Sequence, residues 1–397
     1  MAERPRARRW LRRLVVGLLV LAALFYGGGG WYFSGLIDER GLDGNARRAA
    51  STFDPDTEVV TLTDDAVAPG GSITLAVGDE PGSLRTEGVW GLRWSSGYGQ
   101  VAGILDADES TVTRAFLLLD GEPPEPGEPA ELDPRAWPAP LGGEVDVIVE
   151  GPLGDYPAWF APGEGATWAI VVHGNAMVRT DGIRLGTVTT ARSMPTLWIT
   201  YRNAVGAPED PSGKLAYGLT EWEDLEAAVR HALDEGATDV VLAGYSMGGG
   251  VIMAFLQRSD LAERVRGVVL DAPMLDFSTT VDDNAARETL PVIGVPLPGS
   301  LTAVAKWIAD RRFDIRWDEL DYLDDTAPYE DLPFLVFHGR RDTTVPIGTS
   351  RTFTELLPQQ VHLVECPEAE HIECWNVDTA TYERELRTFL DRIDPEG

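Results

Sequence analysis

The chain has 397 residues, 44% of them hydrophobic, which is enough for one large domain with an appendage and too apolar for a disordered tail. Acidic residues outnumber basic ones 64 to 33, for a formal net charge of −31, and Lys214 and Lys306 are the only lysines. This balance excludes nucleic acid as a partner and an anionic membrane surface as the main partner of the soluble part; most of the acidity reads as a solvated surface.

The first thirteen residues, a basic tail, run against that balance. "MAERPRARRWLRR" holds six arginines and one glutamate, and residues 14–33 follow without a charge. About twenty apolar residues are what a helix needs to cross a bilayer, and Trp31 and Tyr32 stand where an interfacial aromatic belt would. The arginine flank is expected to stay in the cytoplasm and the chain beyond it to lie outside, on a single-pass plasma-membrane signal anchor. A cleaved signal peptide is the competing reading; the small-residue cleavage pattern it needs is missing. The run Gly27–Gly30 lowers helix propensity, so the helix is expected to fray there.

From 51 to 141, apolar runs such as "SITLAV" and "VTRAFLLL" alternate with glycine, proline and acidic turns, which predicts a β-rich appendage. The proline-rich stretch 120–143 predicts an extended connector at its end. Residues 145–397 form the second unit. It opens on a hairpin pattern, "EVDVIVEGPLGDYPAWFAP", and strands at 167–173, 196–201, 239–244, 267–272, 333–338 and 361–366 then alternate with helices. The clearest helix is "LTEWEDLEAAVRHALDEG", with Thr220 as N-cap, Glu223 three residues on, and Gly236 as the stop. Near-continuous Val, Ile and Leu strands between helices predict an α/β fold, a mainly parallel sheet covered on both faces, with ligands at the carboxyl ends of the strands.

One of those ends carries "GYSMG", residues 244–248, between strand 239–244 and a helix-forming run. A glycine-flanked serine there is lifted above the sheet at a helix N-terminus, where backbone N–H groups can stabilise an oxyanion. Ser246 is thus the candidate nucleophile, and it needs a base and an acid. Of five histidines, His231 belongs to a helix face and His362 to a strand interior, while His173 and His338 end strands. His371 follows the last strand, where a loop can drop an imidazole over the strand ends. Asp342, just past the strand ending at His338, is the candidate acid; a surface salt bridge to Arg340 or Arg341 is its alternative role.

With these pieces, residues 145 to 393 resemble the α/β-hydrolase family, in particular its serine-peptidase-like and esterase-like lysophospholipase branch. The resemblance rests on "VVHGN", "GYSMGG", "HGRRDTTVP" and "EHIECW" in that order. It implies that Ser246 attacks, that His371 takes and returns its proton, and that Asp342 holds the imidazole. It also implies an oxyanion hole from the Met247 N–H and a second donor at Asn175 or Ala176, although "HGNAMV" departs from the common H-G-x-x-G form.

About sixty residues separate Asp271 from Pro333, more than a strand crossover needs, and predict a cap over 275–331 containing Phe277, Trp307, Phe313, Trp317, Tyr322 and Tyr329. The only cysteines, Cys366 and Cys374, bracket His371. Outside the cytoplasm they are expected to form a disulfide; reduced buried thiols are the alternative. No zinc-ligand spacing and no phosphate-binding glycine loop occur, so neither metal nor cofactor is expected.

The sequence thus predicts a membrane-tethered, extracytoplasmic serine hydrolase, carboxylesterase or lipase-like or aminopeptidase-like. It would cleave ester, thioester or amide acyl bonds of a small-molecule, lipid or peptide substrate through an acyl-enzyme. An acyltransferase with the same triad, and a non-catalytic surface binding module on a hydrolase fold, are the alternatives.

Overall fold

The computed structural model of the chain describes residues 4–42, 60–68, 71–77, 82–133, 135–137, 142–175, 178–291 and 294–394. Helix α1 (Arg4–Ala23) continues through a π-helical turn at Leu24–Gly28 into α2 (Gly29–Ile37) and a second such turn at Asp38–Leu42. Six strands follow, β1 (Val60–Ala68), β2 (Ser72–Val77), β3 (Trp90–Trp94), β4 (Gly97–Ala107), β5 (Thr111–Gly121) and β6 (Pro129–Asp133), and close into a barrel of order β1-β2-β5-β4-β3-β6.

The second unit begins with the antiparallel pair β7 (Val145–Gly151) and β8 (Gly154–Ala161). It continues with β9 (Thr167–Val172), α3 (Ile183–Thr189), β10 (Thr196–Ile199), α4 (Trp222–Asp234), β11 (Asp239–Tyr245) and α5 (Met247–Arg258). After β12 (Val265–Asp271) the cap inserts α6 (Phe277–Arg287) and α7 (Gly299–Phe313); β13 (Phe334–Gly339), α8 (Gly348–Leu356), β14 (Val361–Cys366), α9 (Cys374–Val377) and α10 (Thr379–Ile393) complete the unit. The eight strands run β14-β13-β12-β11-β9-β10-β8-β7, with β9 to β14 mutually parallel. This is the α/β-hydrolase fold.

Strand periodicity explains the two cores. Ile170 and Val172 of β9 pack with α4, α5 and the cap, whereas Ala169 and Val171 face α10 and Trp198 on the other side. Both faces are apolar, so the sheet strands read as continuous hydrophobic runs. The barrel has its own core around Trp90, Leu92, Trp94, Val101 and Val112. Inside it the guanidinium of buried Arg114 donates to the carbonyls of Leu84, Thr86 and Gly88 at 2.8 to 3.0 Å, fixing the 82–88 segment.

That segment docks on the second unit. Val89 N–H donates to the Asn376 carbonyl at 2.9 Å, and the Asn376 amide donates back to the Val89 carbonyl at 2.6 Å. Gly88, at φ 134°, lies so close that a Cβ would sit 2.0 Å from the Asn376 oxygen. The barrel therefore rests on α9, three residues beyond His371.

Three local expectations are corrected. The glycine run does not fray the first helix: a Cβ on Gly30 would stand 2.8 Å from Val304 and 2.9 Å from Ile308, so the glycines let α2 pack against α7, and tertiary contact overrides propensity. The proline-rich 120–143 stretch is not all connector, because Pro129 opens β6, which pairs with β1 and β3 and closes the barrel. Thr220 does not cap α4; the N-cap is Glu221, whose carboxylate accepts from the N–H groups of Ala216 and Gly218 at 2.7 and 2.9 Å. Gly236 does end that helix in the left-handed region, at φ 109°.

Candidate active site

β11 ends in the centre of the sheet and α5 starts one residue later, so Ser246 must turn the chain. Its backbone lies at φ 52°, ψ −118°, a strained region for a residue with a Cβ. A Cβ at Gly248 would be 2.3 Å from the Val172 carbonyl and one at Gly244 would be 2.7 Å from Ile252, so glycine is required on both sides. The turn is held from the neighbouring strand: Ser246 N–H donates to the Asp271 carbonyl at 2.9 Å, and Met274 N–H donates to the Ser246 carbonyl at 3.0 Å.

The structure brings together three of the residues singled out in the sequence. His371 Nε2 lies 2.9 Å from Ser246 Oγ, and its Nδ1 lies 2.7 Å from Asp342 Oδ2. A carboxylate only accepts, so Nδ1 carries the proton and Nε2 is left as acceptor for the serine hydroxyl. The other carboxylate oxygen, Asp342 Oδ1, accepts from the N–H groups of Thr344 and Val345, both at 2.8 Å. Burial alone would raise this carboxyl, but the flanking imidazoles of His338 and His371 outweigh it and hold Asp342 well below the usual carboxylate range. The surface salt-bridge alternative is excluded by geometry: Arg340 pairs with Glu365 at 2.6 Å and Arg341 pairs with Glu368, while Asp342 is buried.

The histidine loop is tied down on several sides. Cys366 and Cys374 are joined in a disulfide with a Cα separation of 5.6 Å. Arg341 N–H donates to the Ala369 carbonyl at 3.0 Å, and a Cβ on Gly339 would lie 2.3 Å from the Ala369 and Glu370 oxygens, so the acid loop and the histidine loop touch backbone to backbone. Arg184 Nη1 donates to the Ile372 carbonyl at 2.7 Å.

Met247 is the first residue of α5, where N–H groups have no partner within the helix. Asn175 lines the same cavity as Ser246, and Ala176 lies outside the described residues. His231 and His362 stand apart from the site, as expected from their elements. His173 is buried and stacked on Tyr201 at 4.1 Å, with Nδ1 donating to the Gly174 carbonyl at 2.7 Å; burial pushes its pKa down to about 4.

Sequence reading missed His338. Its Nε2 donates to the Val345 carbonyl at 2.8 Å and its Nδ1 accepts from Ser350 Oγ at 2.8 Å, which brings Nε2 within 3.4 Å of Asp342 Oδ2. The available signal was the spacing of His338 and Asp342, but nothing local fixes where the intervening loop turns. Of the six cap aromatics, Phe277 lines the cavity over Ser246; it stacks on Tyr217 at 4.2 Å. Tyr322 and Tyr329 are instead buried in the main core, and Trp307 is exposed.

Residues 199–385 match the family model of the α/β hydrolases. Residues 58–133, which contain the barrel, match a domain of unknown function (DUF8805). The chain is 25% identical over 244 residues to the protein YfhR of Escherichia coli O157:H7, covering 61% of this chain and 76% of that one. Similar solved structures include the esterase Pf2001 of Pyrococcus furiosus, at 18% identity and TM-score 0.49, covering 63% of this chain and 92% of that one. A thermophilic esterase from Thermogutta terrifontis is similar at 20% identity and TM-score 0.45, over 63% and 99% of the two chains.

Proposed function

We propose that this protein is a membrane-tethered, outward-facing serine hydrolase that cleaves acyl bonds through an acyl-enzyme. The observation that carries the reading is the unbroken line from Asp342 through His371 to Ser246, at 2.7 and 2.9 Å. His371 Nε2 takes the hydroxyl proton as Ser246 Oγ attacks the acyl carbonyl. The tetrahedral oxyanion faces the Met247 N–H and the Asn175 side of the cavity. On collapse, the C–O, C–S or C–N bond breaks and His371 hands its proton to the leaving group. Water then attacks the acyl-serine ester with the same imidazole as base, releasing the acid and restoring Ser246. Asp342 stays ionised throughout and stabilises the imidazolium.

Tethering is supported by the helix Arg12–Leu42, which has the length and apolarity of a membrane span, a property that signal sequences share. Outward orientation is supported by the arginine excess on the N-terminal flank, six in residues 1–13 against Arg40, Arg47 and Arg48 in the twenty residues after Phe33, and by the disulfide, since such bonds persist in oxidising compartments. The test is labelling with a membrane-impermeant fluorophosphonate, on intact cells and after lysis. Labelling of intact cells that is lost in Ser246→Ala is expected. No labelling in either sample sinks the nucleophile, and labelling only after lysis reverses the orientation.

A further inference from the structure

The serine opens on a cavity of about 670 Å³, within the range of sites that enclose a small ligand. One wall is not part of the catalytic unit. Phe33, Leu36 and Ile37 come from α2, the continuation of the first helix, and they face Phe277, Val281 and Leu297 of the cap. Gly41, at the end of that helix, reaches the same cavity as Ser246.

This wall is locked in place. Besides the Gly30 contact with α7, Arg312 donates to the Trp31 carbonyl at 3.0 Å and to Ser34 Oγ at 2.6 Å. Tyr217 Oη donates to the Gly41 carbonyl at 3.0 Å, Leu215 N–H donates to that of Leu42 at 2.8 Å, and Arg40 pairs with Glu288 across to the cap. Two turns earlier the same helix is bare: Leu18, Leu19, Leu21 and Leu24 are 58 to 66% exposed, a surface whose natural cover is lipid. Helix α7 runs parallel to α2, with Ser300 hydrogen-bonded to Tyr26 and Arg312 to Ser34; α7 exposes Trp307, and α2 exposes Trp31 and Tyr32. Two exposed aromatic rings, Trp31 and Tyr32, thus mark the point where the helix passes from the bare surface to the pocket wall.

Resting on the hydrolase reading above, we infer that the cavity is an acyl-chain site walled by the membrane helix itself, and that its substrate is the long-chain acyl ester of a lipid in the same bilayer. A short acyl chain would leave most of such a wall uncovered. A lipid acyl chain can pass along the helix from bilayer to serine without crossing water, so the apolar surface it leaves is replaced by an apolar surface it meets.

The test uses the full chain in nanodiscs. Fluorophosphonate labelling and p-nitrophenyl butyrate hydrolysis read the nucleophile; if both fail, the hydrolase reading falls whatever the pocket does. With labelling present, the ratio of kcat/KM for p-nitrophenyl palmitate to that for butyrate reads the pocket. Ile37→Trp, which fills the wall, is expected to lower this ratio at least tenfold, and Phe33→Ala, which opens it, to raise it. Ratios within twofold of wild type in both labelled variants overturn the inference. A glycerolipid with a labelled palmitoyl ester is then placed either in the protein's own discs or in separate empty ones. At least tenfold faster release from the protein's own discs is expected, and equal rates overturn the bilayer as source.

Discussion

His338 Nε2 sits 3.4 Å from Asp342 Oδ2, with both side chains fully buried, so a second imidazole backs the carboxylate that orients His371. Its N–H is spent on the Val345 carbonyl, the residue whose own N–H binds Asp342, which makes it a positioning residue. His338→Leu is expected to lower kcat about tenfold by loosening that loop, with partial rescue in His338→Gln, which can still donate. A kcat equal to wild type in His338→Leu would leave the imidazole as mere filling.

Because attack, proton transfer and oxyanion capture act as one unit, Ser246→Ala or His371→Ala alone should lower turnover on the order of 10⁴-fold or more. Asp342→Asn should cost somewhat less. Ester hydrolysis by purified variants decides this, and near-wild-type rates in Ser246→Ala would remove the nucleophile assignment.

Gly88 offers a test of whether the barrel supports the site. Gly88→Ala places a Cβ 2.0 Å from the Asn376 oxygen and must push the barrel away from α9. A shift relayed to His371 should lower kcat about 10- to 100-fold. Gly103→Ala, in the same barrel with nothing within 4 Å, should be silent. Equal activity in the two variants would mean that the contact carries no strain to the histidine.

The pH dependence of stability should carry the mark of His173. Its folded pKa of about 4 lies below that of a free imidazole, so between about 6.5 and 4 the unfolded chain binds a proton that the folded chain refuses. Stability is therefore lost on acidification through that window, by up to about 3 kcal/mol. Thermal melts of His173→Gln from pH 7 to 4.5 should show a flatter dependence than wild type; parallel curves would refute this.

The Cys366–Cys374 bridge spans a sequence separation of 8, so the chain-entropy model gives it only about 2 to 3 kcal/mol. The double serine variant should lose turnover out of proportion to its drop in Tm, because the loop carrying His371 slackens before the core does. A matched decline in both would assign the bond to global stability alone.

The main lines of the site were legible in the sequence because each chemical residue sits at a strand end and is announced by its neighbours: glycines around Ser246, a strand before Asp342, a strand and a helix around His371. What was not legible depends on distant partners. The glycines at 27–30 look like a helix breaker until Val304 and Ile308 are beside them. Pro129 looks like a connector until β1 offers it a strand start that needs no N–H. Likewise Thr220 fits the local capping pattern, but Glu221 next to it finds two free N–H groups upstream.

The reciprocal bonds between Val89 and Asn376 join residues 287 apart in the chain, which orders events in time. The barrel closes within residues 60–133 through the pairing of β1 with β6, and can fold while the rest is still being made. At about 5 to 20 residues per second, roughly 12 to 50 s pass before its docking partner is synthesised. The loop that carries the imidazole is thus placed last, after the nucleophile and the acid have emerged. Until residues 366–376 have been made, Ser246 and Asp342 stand without the imidazole, and the line of three can close only after β14 has joined the sheet.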